Sequence, residues 1–275
     1  MRSKRLRLMS RYGLIYLTLA GTLVLTLFPI YWMLITSIQP SSDLMQYPPR
    51  FFPRQPTLEH WRFAVNTKWR YFLNSLIISA SATAIAILVG SLSGYAFARY
   101  GVGGETLPFW ILSLKFFPPI AAAVPFFLMM NRLKLLDTHI AVIIPHLIIT
   151  IPFAVWMIKG FVAEVPRELE EAAMIDGCSH LGVIRRVTFP LIAPGVVVTA
   201  LFCFIWSWND FLFALILTRN KAMTLPVAIA GMREAHGLMW GAVSATAAMA
   251  TLPVLIMAIL LQRYLVRGLA LGAVK

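Results

Sequence analysis

Long apolar runs broken by short charged pieces set the pattern of this chain. A charge-free run extends from Tyr12 to Ser42, and others run from about Tyr71 to Ala98, Leu107 to Met130, Thr138 to Ile158, Leu191 to Leu217 and Met239 to Leu261. A bilayer core about 30 Å thick needs about 20 helical residues, so each run is long enough to cross. The pattern predicts an all-α membrane protein with six transmembrane helices and both termini on one side. The opening RSKRLRLMSR carries Arg2, Lys4, Arg5, Arg7 and Arg11 and no acid. A signal peptide has the same order of features, but its apolar part is about 7–15 residues long. The first run is longer, and no small-residue cleavage site follows it. It therefore reads as a first span with the cationic N-terminus in the cytoplasm.

The pieces between the runs differ in kind. Gln39 to Arg70 is rich in Pro and aromatics (YPPRFFPRQP) and reads as an ordered, non-helical external segment. The second span is full of small residues (SASATAIAILVGSLSGYAFA) that let helices approach closely. Pro118, Pro119, Pro125, Pro145 and Pro152 are expected to kink spans three and four. His139 and His146, seven residues apart on the fourth span, read as packing or pore-facing residues. A metal site needs more ligands nearby, so none is expected. Thr218 to Leu238 forms an external piece before the sixth span, and QRYLVRGLALGAVK a basic tail.

Glu164 to Pro190 is the longest densely charged piece, EVPRELEEAAMIDGCSHLGVIRRVTFP. Pro166 suits the start of a helix, and Glu168, Glu170 and Glu171 suit its positive end. Gly177 is placed to end it, Ser179 to cap a second helix, and Arg185 and Arg186 to sit at that helix's negative end. Two short helices joined at Gly177 and lying along the membrane are expected. Leu169, Ala172, Ala173 and Ile175 give the first an apolar stripe beside its acids. A helix merely resting on a bilayer is usually Lys/Arg-rich, and this one is acidic. A DNA-reading helix-turn-helix is equally a poor fit.

Composition agrees with the lipid setting. Of 275 residues, 59% are hydrophobic and 13% charged, with a mean hydropathy of +0.77; soluble domains are nearer half and a quarter. The net charge of +13 fits Lys and Arg flanking spans better than nucleic-acid binding. By the six-span topology, 13 Lys/Arg fall on the N-terminal side and 10 on the other, with Lys115 embedded. Cys203 lies in an apolar run and Cys178 in the polar stretch, so no disulfide framework is expected. There is no phosphate-binding G-x-x-x-x-G-K-[ST] loop, and Gly101-Val102-Gly103-Gly104 lacks the lysine. No nucleophile–base or metal cluster marks an enzyme.

Lys115 and Asp210 are the Lys, Arg, Asp or Glu expected inside spans. Charges at that depth face a cavity or a partner. With Trp206, Trp208 and Asn209 they are candidates to line a translocation path, because aromatic faces cover sugar C–H surfaces and polar groups bond hydroxyls. The alternative for Asp210 is a structural tie between helices.

The pattern Glu171-Ala172-Ala173, Gly177, nine residues, then Val187-Thr188-Phe189-Pro190 resembles the EAA signature of permease subunits of ATP-binding-cassette importers, with Val for Ile and Phe for Leu. FIWSWNDFLFALIL, TLPVAIAG and LPVLIMAILLQRYLVRGLALGAVK are similar to the carbohydrate branch, the maltose-type permeases. LSLKFFPPIAAAVPF looks like its polyol-type members. The resemblance implies a type I importer transmembrane domain over about 71–267, preceded by 1–70 and followed by a tail, 268–275. Residues 164–187 would be a cytoplasmic coupling element, with Glu170, Glu171, Ala172, Ala173, Asp176, Gly177 and Pro190 serving contact with a separate ATPase. It also implies a second permease subunit, two ATP-binding subunits holding ATP and Mg, and an extracytoplasmic solute-binding protein. The solute would be a sugar or polyol, and the site a bacterial inner membrane. No cofactor is implied in this chain. The competing class is a stand-alone ion-coupled carrier using Lys115 and Asp210 as a relay. The acidic helix and the lack of internal repeats count against it.

Overall fold

The computed structural model describes residues 2–234 and 237–273. It is helical apart from a two-residue antiparallel ladder. In chain order the elements are α1 (Arg2–Ile38), α2 (Ser41–Leu44), α3 (Glu59–Tyr100), α4 (Thr106–Ser113), a 3₁₀ turn (Leu114–Phe116), α5 (Pro119–Arg132) and α6 (His139–Glu164). There follow α7 (Arg167–Ile175), α8 (His180–Val183), a π turn (Ile184–Thr188), α9 (Phe189–Trp208), α10 (Leu212–Leu217), α11 (Leu225–Ala230), β1 (Arg233–Glu234), β2 (Gly237–Leu238) and α12 (Trp240–Ala273). Among the described residues, five helices are long and apolar enough to cross a membrane. A sixth crossing results if α4 with its 3₁₀ turn and α5 count as one broken span.

Four sequence expectations change here. The segment after the first span is irregular, apart from the single turn of α2, only as far as Leu58, because α3 begins at Glu59 and runs unbroken for 42 residues. Past Pro56 nothing interrupts a helix, and the Thr57 hydroxyl accepts from the Glu59 backbone N–H. The expected kink of the third span is present only at Pro118–Pro119, where it bends by 87°, with Pro118 extended at the start of α5. Helices α5 and α6 instead continue through Pro125, Pro145 and Pro152. The fifth span ends at Trp208, and α10 is a separate short helix. Finally, α8 is not a free-standing surface helix but runs through the π turn straight into α9. Pro190 cannot donate an N–H, and a π turn just before it shifts the bonding register. Helix α12 continues through the expected tail to Ala273; the last two residues of the G-A-V-K ending lie outside the described residues.

The chain forms two compact units. One holds α1, α2, the first turns of α3 and residues 231–251. Within it, Arg50 pairs with Asp43 at 2.6 Å and the Gln39 amide donates to the Arg50 carbonyl at 2.7 Å. The most apolar window of α1 is not buried at all, so its leucines are left for lipid or a partner chain.

The other unit contains Arg70–Ala230 and the chain from Leu252 on. Its core is layered. Ile78, Met130, Val142, Phe213 and Leu217 cluster at one end, and Tyr95, Ile158, Val162, Val165 and Ile192 at the other. Small residues lie between: Ala86, Ala154 and Cys203. Here α3 and α6 touch backbone to backbone. A Cβ on Gly90 would lie 2.6 Å from that of Ala154, and one on Gly94 would lie 2.9 Å from the Lys159 nitrogen. The G-x-x-x-G spacing is what this approach requires.

Candidate functional site

Helix α7 is defined by its ends. Pro166 stands at its N-cap, and Glu168 and Glu170 fall in its first turn. At the other end Gly177 adopts φ +88°. Its N–H reaches the Met174 carbonyl and the Cys178 N–H the Ala173 carbonyl, each at 3.0 Å. This pair of bonds is the Schellman termination that only glycine adopts without strain. Ser179 then caps α8, its hydroxyl accepting from the Gly182 N–H at 3.2 Å.

The faces of α7 are inverted relative to an ordinary surface helix. Glu168, Glu171, Ala172 and Ile175, spaced i, i+3, i+4, i+7, are all exposed. Ile175 is 86% exposed, and Leu181 on α8 is 71% exposed. The buried residue is an acid, Glu170, at 5%. Its Oε2 accepts from Arg99 Nε at 2.9 Å and from the Tyr95 hydroxyl at 3.3 Å, and its Oε1 from the Thr188 hydroxyl at 2.6 Å. The Arg99 guanidinium also donates to the Val165 carbonyl at 2.9 Å. Both charged side chains are 7% exposed. A buried pair is tolerated when geometry is good and remaining donors and acceptors are filled, as here. Beside it lies a cavity of about 130 Å³ lined by Tyr95, Tyr100, Arg167, Glu171, Met174 and His180 among others.

So the residues expected to serve the coupling contact divide. Glu171, Ala172, Asp176, Gly177 and Pro190 are exposed and Ala173 is half-buried, whereas Glu170 turns inward. Arg99, Tyr95 and Thr188 were not singled out by sequence. The available signal was a lone Arg ending the second apolar run.

At the opposite end of the unit, Asp137 sits between α5 and α6 with φ +60°. Its carboxylate accepts backbone N–H bonds from Arg219, Asn220, Lys221 and Ala222 at 3.0–3.1 Å. Burial opposes its ionisation, but the four N–H groups outweigh that and bring the carboxyl down to about 2. Asn74 donates to the Lys221 and Met223 carbonyls at 2.9 Å and meets His139 at 2.8 Å. Ser75 accepts from the Leu225 N–H at 2.8 Å. The 219–225 loop is thus fixed while Arg219, Asn220 and Lys221 project outward.

The path candidates fall into two places. Lys115, in the 3₁₀ break of the third span, and Trp206 share a cavity of about 120 Å³ with Thr150, Phe153, Phe202 and Cys203 among others. The ammonium lies 4.5 Å from the Phe153 ring centre, within cation–π range. Trp208 is buried, stacked on Phe204 with ring centres 5.6 Å apart. Asp210 caps α10, accepting from the Ala214 N–H at 3.2 Å, and its Oδ2 lies 3.1 Å from His146 Nε2. The contact is close but not aligned as a hydrogen bond. His146 Nδ1 meets Ser207 at 2.7 Å. Asn209 is exposed and donates to the Ile205 carbonyl. Tertiary packing therefore separates Asp210 from Lys115 and sends His139 and His146 to different partners.

Several apolar crossings, a span broken around a lone lysine and a surface helix with its acid buried and its apolar face bare define a multi-pass membrane transport subunit. Residues 86–271 match the family described as the binding-protein-dependent transport system inner membrane component. The chain belongs to this family of ABC transporter permeases, in which the ATPase is a separate subunit. It is 36% identical over 275 residues to the inner membrane ABC transporter permease protein YcjP of Escherichia coli, covering 98% of each chain. It is 34% identical to the trehalose/maltose transport system permease protein MalG of Thermococcus litoralis, covering 92% of each. Its fold is that of a chain of a bacterial ABC transporter involved in import of the acidic polysaccharide alginate. That likeness has a TM-score of 0.74 at 24% identity, covering 96% of this chain and 98% of the other.

Proposed function

We propose that this chain is one permease subunit of an ATP-driven importer of a sugar or related polyol, and that α7 is the helix on which a separate ATPase acts. The observation that carries the reading is the inverted helix. Glu168, Glu171, Ala172 and Ile175 present a mixed acidic and apolar face to solvent while Glu170 is buried. Leu169, Met174 and Ile175 of α7 and Leu181 of α8 are all exposed, and this concentration of apolar side chains on an element outside the spans supports a partner surface. Alanine at 172 lets that partner approach, and Glu171 supplies a charge for a cationic partner side chain.

The orientation follows from this role. Helix α7 and both termini are cytoplasmic, in line with the cationic N-terminal segment. The 219–225 loop then faces outward, where a solute-binding protein docks. The exposed apolar surface of α1 and the open side of the Lys115 cavity are left for lipid and a second permease subunit. The sugar class is supported by the trehalose/maltose relative, and Trp206 and Lys115 are the residues of this chain nearest to the solute. An ion relay from Lys115 to Asp210 has no support, because Asp210 does not line the lysine's cavity.

The test is Ile175→Glu in the assembled transporter, with Glu171→Lys beside it. The expected outcome is loss of the co-purifying ATPase while the permease itself stays folded. Retention of the ATPase by both variants overturns the docking role.

A further inference from the structure

We propose that Glu170 is a positioning residue that makes α7, the end of α3 and the start of α9 move as one body. The proposal rests on the reading of α7 as the docking helix. It goes beyond that reading by naming the residue that passes the motion on.

The donors to this one carboxylate come from separate parts of the unit. Arg99 and Tyr95 belong to the last turns of α3, and Thr188 ends the π turn that feeds α9. The Arg99 guanidinium bridges further, to the Val165 carbonyl where α6 gives way to α7. Helix α7 has only nine residues and is bounded by Pro166 and Gly177. It makes few apolar contacts of its own, since Leu169, Met174 and Ile175 are all at least partly exposed. Without Glu170, α7 would be free to roll about its axis or pivot at Gly177, and a push on its outer face would be absorbed in the turn.

Three directional bonds to one buried group prevent this. They fix the roll angle of α7, which keeps Glu168, Glu171, Ala172 and Ile175 aimed at the partner. They also connect the helix to two different membrane crossings, through side chains shielded from water. A buried ion pair is a poor way simply to add stability, since an apolar filling of the same volume does as well or better. It does fix one arrangement among several of similar energy, which a force-transmitting joint requires. Glu171, one residue on, is turned about 100° around the helix axis, is exposed, and has no such partners among the described residues. The adjacent acids thus divide the work: Glu171 meets the partner and Glu170 holds the helix.

The test uses the permease complex co-purified with its ATPase, reconstituted in lipid nanodiscs, with Cys178→Ser and buried Cys203 left in place. Spin labels go on Asp176→Cys, beside α7, and Val102→Cys, beyond the end of α3; both positions are exposed, and because Asp176 borders the docking face only labelled complex that retains its ATPase is measured. Distances are read without nucleotide and after trapping with ATP and vanadate. With Glu170 intact, the 102–176 distribution should be the same in both states. In Glu170→Gln it should shift or broaden on trapping, because α7 follows the ATPase and α3 no longer does. A second pair, Asp176→Cys with Arg186→Cys, reports on the π turn that leads into α9. Thr188→Val should release that pair alone, since it keeps the ion pair with Arg99.

A native 102–176 distance that changes on trapping overturns the proposal, as does a Glu170→Gln distance that stays native. If Glu170→Gln does not assemble, Thr188→Val decides: an unchanged 176–186 distance overturns the proposal. Failure of docking is read separately, because the Ile175→Glu variant then keeps its ATPase whatever the distances show.

Discussion

Asp137 and Glu170 are two inward-facing carboxylates that pin opposite ends of the Arg70–Ala230 unit, and they do so by different chemistry. Asp137 is ringed by backbone N–H groups of four consecutive residues, 219–222. Its bonds set the shape of one loop, and no side-chain change in that loop can remove the donors except proline. Glu170 is ringed by side chains from separate elements, so its bonds set the relation between helices. The loop held by Asp137 shows basic and polar groups to solvent, and the helix held by Glu170 shows acids and bare apolar groups. A carboxylate fed by the backbone makes a rigid platform, whereas one fed by side chains makes a joint that couples moving parts.

Removing one partner of the joint should cost most. Arg99→Met leaves Glu170 buried without its cation, a loss of about 3–5 kcal/mol. It should appear as a clear drop in the melting temperature of the purified permease. A wild-type melting curve would show that the pair is not buried as described.

Asp137→Ala should cost less, about 1–3 kcal/mol, because water reaches the freed N–H groups. Its readout is local: faster tryptic cleavage after Arg219 and Lys221 with little change in the global melt. Cleavage at the wild-type rate breaks the contrast between platform and joint.

Gly177→Val should cost about 1–2 kcal/mol by forcing a β-branched residue to positive φ. It should loosen α7 while leaving the 219–225 loop protected, which hydrogen exchange can resolve.

The smallest effect is pH-dependent. The Asp137 carboxyl is held at about 2, below its usual 3.8, so its contribution is present above about pH 4 and fades as pH falls toward 2. Protease resistance of the 219–225 loop, assayed with an acid-active protease, should decline over that window, and Asp137→Asn should flatten the profile.

Much of this was legible in sequence because lipid imposes simple demands. Run length fixed the crossings, and the Pro166-to-Gly177 frame fixed α7, since proline and glycine act through their own backbone limits. The expected glycine turn is there, with φ +88°, and the small residues of the second span do meet α6 at Gly90 and Gly94. The misreadings have common causes. The Gln39–Arg70 segment looked non-helical because its prolines coloured the whole piece, although a turn of helix forms at Ser41–Leu44 and a long helix begins soon after they end. The fifth span looked continuous because hydropathy does not register a break at Asn209 and Asp210. Glu170 looked like its neighbours because three acids in one turn are alike in composition; which one points inward depends on Arg99, 71 residues away.

Sequence by itself determined that this is a multi-span membrane protein whose apolar runs are interrupted by a short acidic helix between Pro166 and Gly177, because hydrophobic length and local backbone chemistry need no partner to be read. Tertiary structure alone decided which partner each carboxylate meets: Asp210 the His146 imidazole rather than Lys115, Asp137 the backbone of a loop some 80 residues on, and Glu170 the Arg99 guanidinium. Charges in low dielectric must find partners, and where those partners lie is set by how the helices pack, which no local pattern encodes.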